Sequence, residues 1–293
     1  MPTQLADPPE STVCLTFDFD AISLWLGNYA ARSPSIISRG EFGAVGCERI
    51  LRLLERESIP ATFFVTGHTA DTYPHLTRAI AAAGNEIGHH GYLHENPLSL
   101  ETPGREREVL VKGLEALDRA AGVRPTGYRS PSWDNSPWTV ELLLEQGFQY
   151  ESSLMGNDFT PYWCRTGDVI QPDGPYLFGS EVNLVEMPVS WILDDFPHFE
   201  YVSIRSLGVN SPGHSAPSKV EEIWRNEFTY MRHEVPGGVF TLTMHPQVIG
   251  RGHRMLMLER LIGWFKEHPS TRFSTLGAAA RAFRDAHQQE PSV

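Results

Sequence analysis

Asp18 and Asp20 stand two residues apart in Thr16-Phe17-Asp18-Phe19-Asp20, so on an extended strand both carboxylates point to the same face. Two such groups at the end of an apolar run repel each other unless a cation or a shared proton relieves them. Further along, His90 and His94 stand four apart in His89-His90-Gly91-Tyr92-Leu93-His94. From that spacing two imidazoles can reach one ion, either from a helical turn or from a compact loop. Two histidines and a carboxylate, with positions left for water, form a hydrolytic zinc arrangement. The residues therefore predict a mononuclear metal centre with a spare carboxylate beside it.

Two further segments end strand-like runs. His245, in Thr243-Met244-His245-Pro246, can carry a proton near neutral pH. Arg129, in Arg129-Ser130-Pro131-Ser132-Trp133, can hold a carboxylate bidentately. Trp133, Pro131 and Trp25 are candidate substrate contacts, and Trp163 and Trp191 suit a substrate surface as well. No GxSxG turn surrounds a serine and Cys164 has no local nucleophile signature, so covalent catalysis is not expected. His89 is either a support for the ligand histidines or a plain strand residue; the remaining histidines read as structural or surface groups.

To converge, these residues need a common frame. Apolar runs over 13–19, 61–66, 85–89, 125–130, 150–154, 184–191 and 239–244 alternate with helical patterns, among them 47–58, 76–83, 106–121, 138–146, 219–233 and 255–268. A short strand over 272–274 and a closing helix follow. About seven β/α units running in one direction predict a parallel sheet, and at this length a barrel rather than an open sheet. Chemistry in such barrels sits at the C-terminal strand ends, where Asp18, Asp20, His90, Arg129 and His245 all fall. Segments 21–46 and 156–182 read as long loops on the same side, expected to act as lids or binding walls. Gly40, Gly43 and Gly46 read as turn glycines, because no strand precedes them directly and no P-loop lysine accompanies them.

A chain of 293 residues, 41% hydrophobic, can bury a large core, and with no internal repeat or low-complexity linker one domain over 1–293, with its core at about 13–285, is expected. A net charge of −12 without a Lys/Arg cluster disfavours nucleic acid and anionic membranes as partners. The first ten residues lack a basic region and an apolar stretch, and no run is long enough to span a bilayer, so the expected compartment is the cytoplasm. Cys14, Cys47 and Cys164 are odd in number and far apart, which predicts reduced, buried thiols.

The motifs TFDFD, HGYLH, RSPSW and Leu242-Thr243-Met244-His245, in that order from about Val13 to His245, resemble those of the polysaccharide deacetylase family, carbohydrate esterase family 4. The resemblance implies a distorted parallel (β/α) barrel, with Asp20, His90 and His94 as metal ligands, Asp18 as general base, His245 as general acid and Arg129 orienting Asp18. It implies one divalent ion, zinc or alternatively cobalt, nickel, iron or manganese. Sugar deacetylases of the family usually carry adjacent aspartates followed by glycine, whereas Phe19 separates the two here and Ala21 follows. That D-x-D form, with Arg39-Gly40-Glu41-Phe42-Gly43, resembles the subgroup containing cyclic imide hydrolases, allantoinase-like proteins and peptidoglycan-deacetylase-like enzymes. The expected activity is metal-dependent hydrolysis of a non-peptide C–N bond in a small-molecule or saccharide substrate. The alternatives are an N-acetyl sugar deacetylase proper and a non-catalytic metal-binding barrel. Subgroup members often assemble, so a homo-oligomer is also expected.

Overall fold

β1 (Ser11–Phe19) is buried along its whole length, as its run of apolar and threonine side chains requires of a strand covered on both faces. The computed structural model describes residues 10–204, 209–211 and 213–287. After β1 come α1 (Ile22–Gly27), α2 (Pro34–Glu57), β2 (Thr62–Val65), α3 (Gly67–Thr72), α4 (Pro74–Ala82) and β3 (Glu86–His89). The middle of the chain forms α5 (Pro103–Ala121), β4 (Gly127–Tyr128), α6 (Thr139–Glu145), β5 (Tyr150–Glu151), β6 (Tyr162–Thr166) and β7 (Ser180–Glu186). Next are α7 (Asp195–Phe199), the pair β8 (Val202–Ile204) and β9 (Val209–Ser211), and α8 (Pro217–Glu234). β10 (Val239–Met244), α9 (Pro246–Ile249), α10 (Gly252–Lys266), β11 (Thr271–Phe273) and α11 (Leu276–Ala286) complete the order.

The main sheet runs β10-β1-β2-β3-β4-β5-β7-β6, with β11 also paired to β1. All its pairings are parallel except β6 with β7. It curls into a distorted, partly open barrel wrapped by helices, the expected class. It has nine strands where about seven were expected, and β6 is the strand that the β/α alternation did not reveal. Inside, Phe17 stacks on Phe63 with centroids 4.9 Å apart, within a core that runs from Val13 to Phe265. No helix among the described residues is long and apolar enough to cross a membrane.

The two expected long loops are corrected. Segment 21–46 forms α1 and the first half of α2, and the predicted helix over 47–58 is the second half of α2. Gly40, Gly43 and Gly46 form a buried stripe along that helix. A Cβ on Gly40 would stand 2.5 Å from the Ala21 carbonyl oxygen, and one on Gly46 1.9 Å from that of Pro246. These glycines let α2 touch α1 and α9 backbone to backbone; they do not make turns. Segment 156–182 supplies β6 and the start of β7 at the sheet edge, and no residue of it lines the cavity at the catalytic strand ends.

Candidate active site

β1 ends at Phe19, so Asp18 and Asp20 stand at its C-terminal end, both buried. β3 ends at His89, and the next turn carries His90 and His94, also buried. This turn is not helical: Gly91 has φ 70° and His94 φ 60°. His89 holds it from below, its Nδ1 accepting from the Gly91 amide at 3.2 Å and its Nε2 donating to the Leu110 carbonyl at 3.1 Å. Burial takes His89 down to about 3, so it stays neutral, and it braces the turn that carries His90 and His94. Positive φ also occurs at Ala21, Ser132 and Trp133, close to the same strand ends.

One ligand atom from each of Asp20, His90 and His94 lies within 4.8 Å of the others. Asp20 Oδ1 is 3.3 Å from His90 Nε2 and 3.9 Å from His94 Nε2, and is buried with no hydrogen bond of good geometry among the described residues. Two ligands on a tetrahedral cation with bonds of about 2.0–2.2 Å stand roughly 3.4 Å apart. His90 Nδ1 lies 2.7 Å from the Arg129 carbonyl oxygen, which can only accept, so Nδ1 carries a proton and Nε2 is the atom turned to Asp20. Burial would lower the His90 pKa, but Asp20 and Asp18 outweigh it and raise it, a pull that a cation between the two groups would replace. Burial, against the pull of Asp20, lowers His94 to about 4 and leaves its ring neutral as a ligand must be. Burial raises the Asp20 carboxyl, but His94, His90 and His245 outweigh it and bring it to about 2. The site is thus an anionic oxygen facing two imidazole nitrogens, a donor set that fits a divalent cation.

Arg129 is fully buried. Its Nη1 donates to Asp18 Oδ1 at 2.8 Å and to Thr16 Oγ1 at 2.8 Å, while Nε and Nη2 donate to the Ser152 carbonyl and hydroxyl. The expected bidentate clasp is therefore a single bond to Asp18, with the rest of the fork anchored on β1 and the residue after β5. His245 follows β10 and its Nε2 lies 3.8 Å from Asp20 Oδ2.

Sequence reasoning missed three groups. Asp195 Oδ1 is 2.7 Å from His245 Nδ1, and both its oxygens accept from the His245 amide at 3.1 Å. Asp194 Oδ1 is 3.6 Å from the same ring nitrogen. Burial would lower His245, but Asp194 and Asp195 prevail and push the imidazole well above its ordinary range. Gln247 donates to Asp20 Oδ2 at 3.2 Å. The available signal was the acidic pair in Leu193-Asp194-Asp195, but it follows a 3-10 turn and joins the sheet through a lone bridge from Asp194 to Thr243.

A cavity of about 140 Å³ opens onto these groups, with Asp18, His94 and His245 on its wall. Trp133 lines it and stacks on the half-exposed Trp191 with centroids 4.2 Å apart. Trp25 does not line it: it is buried, stacked on Tyr29 and covered by the Arg39 guanidinium, and Leu24, Asn28 and Tyr29 form that wall. Pro131 packs against Gly91 instead of facing the cavity. Trp163 packs against Phe283 in a tilted contact with centroids 5.5 Å apart, on the edge strand β6.

Residues 6–150 match the family model for polysaccharide deacetylase. The chain is 38% identical to a peptidoglycan deacetylase of Helicobacter pylori, over 94% of this chain and 96% of that protein. It is 31% identical to a peptidoglycan deacetylase-like protein of Gibberella zeae, over 92% and 86%. A crystal structure from Mycobacterium smegmatis, provisionally named a polysaccharide deacetylase, superposes with a TM-score of 0.82 at 35% identity, covering 100% of this chain and 98% of that one. The PuuE allantoinase structure superposes with a TM-score of 0.77 at 22% identity, over 99% of each chain, a likeness of fold alone.

Proposed function

Because the chain belongs to the polysaccharide deacetylase family, we propose that it is a metal-dependent amide hydrolase that removes an acetyl group from an N-acetylated sugar. The observation that carries this reading is the Asp20, His90 and His94 donor set, opening onto a cavity whose wall also holds Asp18 and His245. A divalent cation held there supplies Lewis acidity, acidifying water and polarising the amide carbonyl.

Asp18 is the base. Arg129 occupies its Oδ1, leaving the second oxygen to take a proton from water at the cavity. His245 is the acid. Asp195 grips Nδ1 and leaves Nε2–H to protonate the departing nitrogen, which is too basic to leave unprotonated; such acid–base help is worth about 10² to 10⁴ in rate. Trp133 and Trp191 offer stacked rings for the apolar face of a sugar.

A second reading, ring opening of a cyclic imide or ureide, is favoured by the size of the cavity. At about 140 Å³ it falls below the roughly 300–1,000 Å³ of sites that engulf drug-sized ligands, and α1 with the turn after it walls one side. The test is acetate release from a chitooligosaccharide beside ring opening of succinimide, before and after chelation. Chelator-sensitive acetate release establishes the deacetylase; ring opening alone selects the second reading. Neither reaction, with metal still bound, refutes the hydrolase on both substrate classes.

A further inference from the structure

Glu151 ends β5 and Glu186 ends β7, and the two are direct partners in the parallel register of those strands. Like charges placed opposite each other on neighbouring strands destabilise a sheet. Both side chains are fully buried. They lie on the face opposite to Tyr150 and Ser152, away from the catalytic cavity, because side chains alternate along a strand. On the other flank of β7 the β6 ladder slips between Trp163 and Arg165, so Cys164 falls at the irregularity. Such irregularities re-aim a side chain, and the Cys164 thiol stands 3.8 Å from Glu186 Oε2.

Backbone amides hold the other side of each carboxylate. Glu186 Oε1 accepts from the Ser153 and Leu154 amides at 3.0 Å each, and Glu151 Oε2 accepts from Ser153 at 3.1 Å. Glu151 Oε1 is buried and meets no donor among the described residues other than the Glu186 carboxyl, with which the Glu151 side chain can share a proton. One ligand atom from each of Glu151, Cys164 and Glu186 lies within 4.8 Å of the others. Burial and the neighbouring Glu151 hold the Glu186 carboxyl well above its usual range. An open cavity of about 720 Å³ has Cys164, Tyr162 and Leu154 on its wall, so it meets the cluster at Cys164; neither glutamate lines it.

We propose that Glu151, Cys164 and Glu186 form a second divalent-cation site, independent of the catalytic centre, that takes a zinc-like metal. Two oxygens and one sulfur suit a borderline-soft ion, with water from the cavity as the remaining ligand. Binding displaces the thiol proton and the proton held on the carboxylate pair, and the cation relieves the repulsion across the β5–β7 register. The site fastens the β6 edge to the parallel sheet.

Cobalt(II) titration of the chelator-stripped full chain, followed by absorbance and by bound metal per chain, tests this. The expected result is two equivalents, one of them with a thiolate-to-cobalt charge-transfer band in the near ultraviolet. Cys164→Ser should lose that band and one equivalent, whereas His90→Ala should lose the other equivalent and keep the band. Glu151→Gln, which preserves shape, should weaken the band-forming site at least tenfold. One equivalent with no band in the wild-type chain overturns the proposal and leaves a proton shared between the two glutamates. A band that persists in Cys164→Ser overturns it too, because another thiol then binds the cobalt.

Discussion

The backbone carbonyl of Arg129 accepts from His90 Nδ1 at 2.7 Å, while the guanidinium of the same residue donates to Asp18 at 2.8 Å. One residue thus aims the proposed metal ligand with its main chain and the proposed base with its side chain. A side-chain substitution should separate the two effects. Arg129→Ala should leave the His90 ring oriented and metal binding near wild type. It should cost about 3–5 kcal/mol of stability, because Asp18 is left as a buried charge without its partner. Bound metal and Tm, measured together, check this; metal loss at unchanged Tm is the contrary result.

Asp18 and Asp20 differ in what surrounds them, and their substitutions should differ accordingly. Asp18→Asn keeps the volume and leaves the ligand set untouched, so metal content should hold while turnover falls by about 10² to 10⁴. His90→Ala should lose catalytic metal and turnover together. Unchanged hydrolysis by Asp18→Asn refutes its role as base.

The residues that act at strand ends were legible because a β/α alternation sends every strand end to one mouth. Asp18, Asp20, His90, His94, Arg129 and His245 stand at or just past the ends of strand-like runs, and all six meet there. Asp195 was not legible, since its segment joins the sheet through a single bridge and carries no strand pattern. Nor was Gln247, because a polar residue inside a four-residue helix has no period to betray it. Gly40, Gly43 and Gly46 were misread because low helix propensity argues locally for turns. Their use depends on Ala21 and Pro246, contacts that only the folded chain supplies. Trp25 failed as a substrate contact for a similar reason: on α1 the neighbouring Leu24 takes the cavity-facing place.

With His245 as the proposed acid, the Asp195–His245 pair should set the alkaline limit of activity. His245 donates a proton only while protonated, so its contribution is present below its pKa and is lost as pH rises through it. Asp194 and Asp195 hold that pKa above the ordinary histidine value of about 6.5, which extends activity to higher pH. Asp195→Asn removes one of the three carboxylates, Asp194, Asp195 and Asp20, that raise it. The alkaline limb of the kcat/KM profile should therefore move to lower pH, with the acid limb unmoved. A drop in rate with both limbs in place would instead make Asp195 a purely geometric support.

Gly46 and Gly263 give opposite predictions for the same substitution within helices. In Gly46→Ala the new methyl would sit 1.9 Å from the Pro246 carbonyl oxygen, and backbone cannot swing aside as a side chain can. α2 must move away from α9, at a cost of about 1–3 kcal/mol or more. Because α9 begins at the residue after His245, the shift should also lower turnover while Asp20, His90 and His94 keep their metal. In Gly263→Ala, within α10, nothing lies within 4 Å of the added Cβ. Only the helix preference of alanine over glycine remains, a gain of about 1 kcal/mol. Tm should fall for Gly46→Ala and rise for Gly263→Ala; a rise in both would mean that the α2–α9 contact is loose enough to absorb a methyl group.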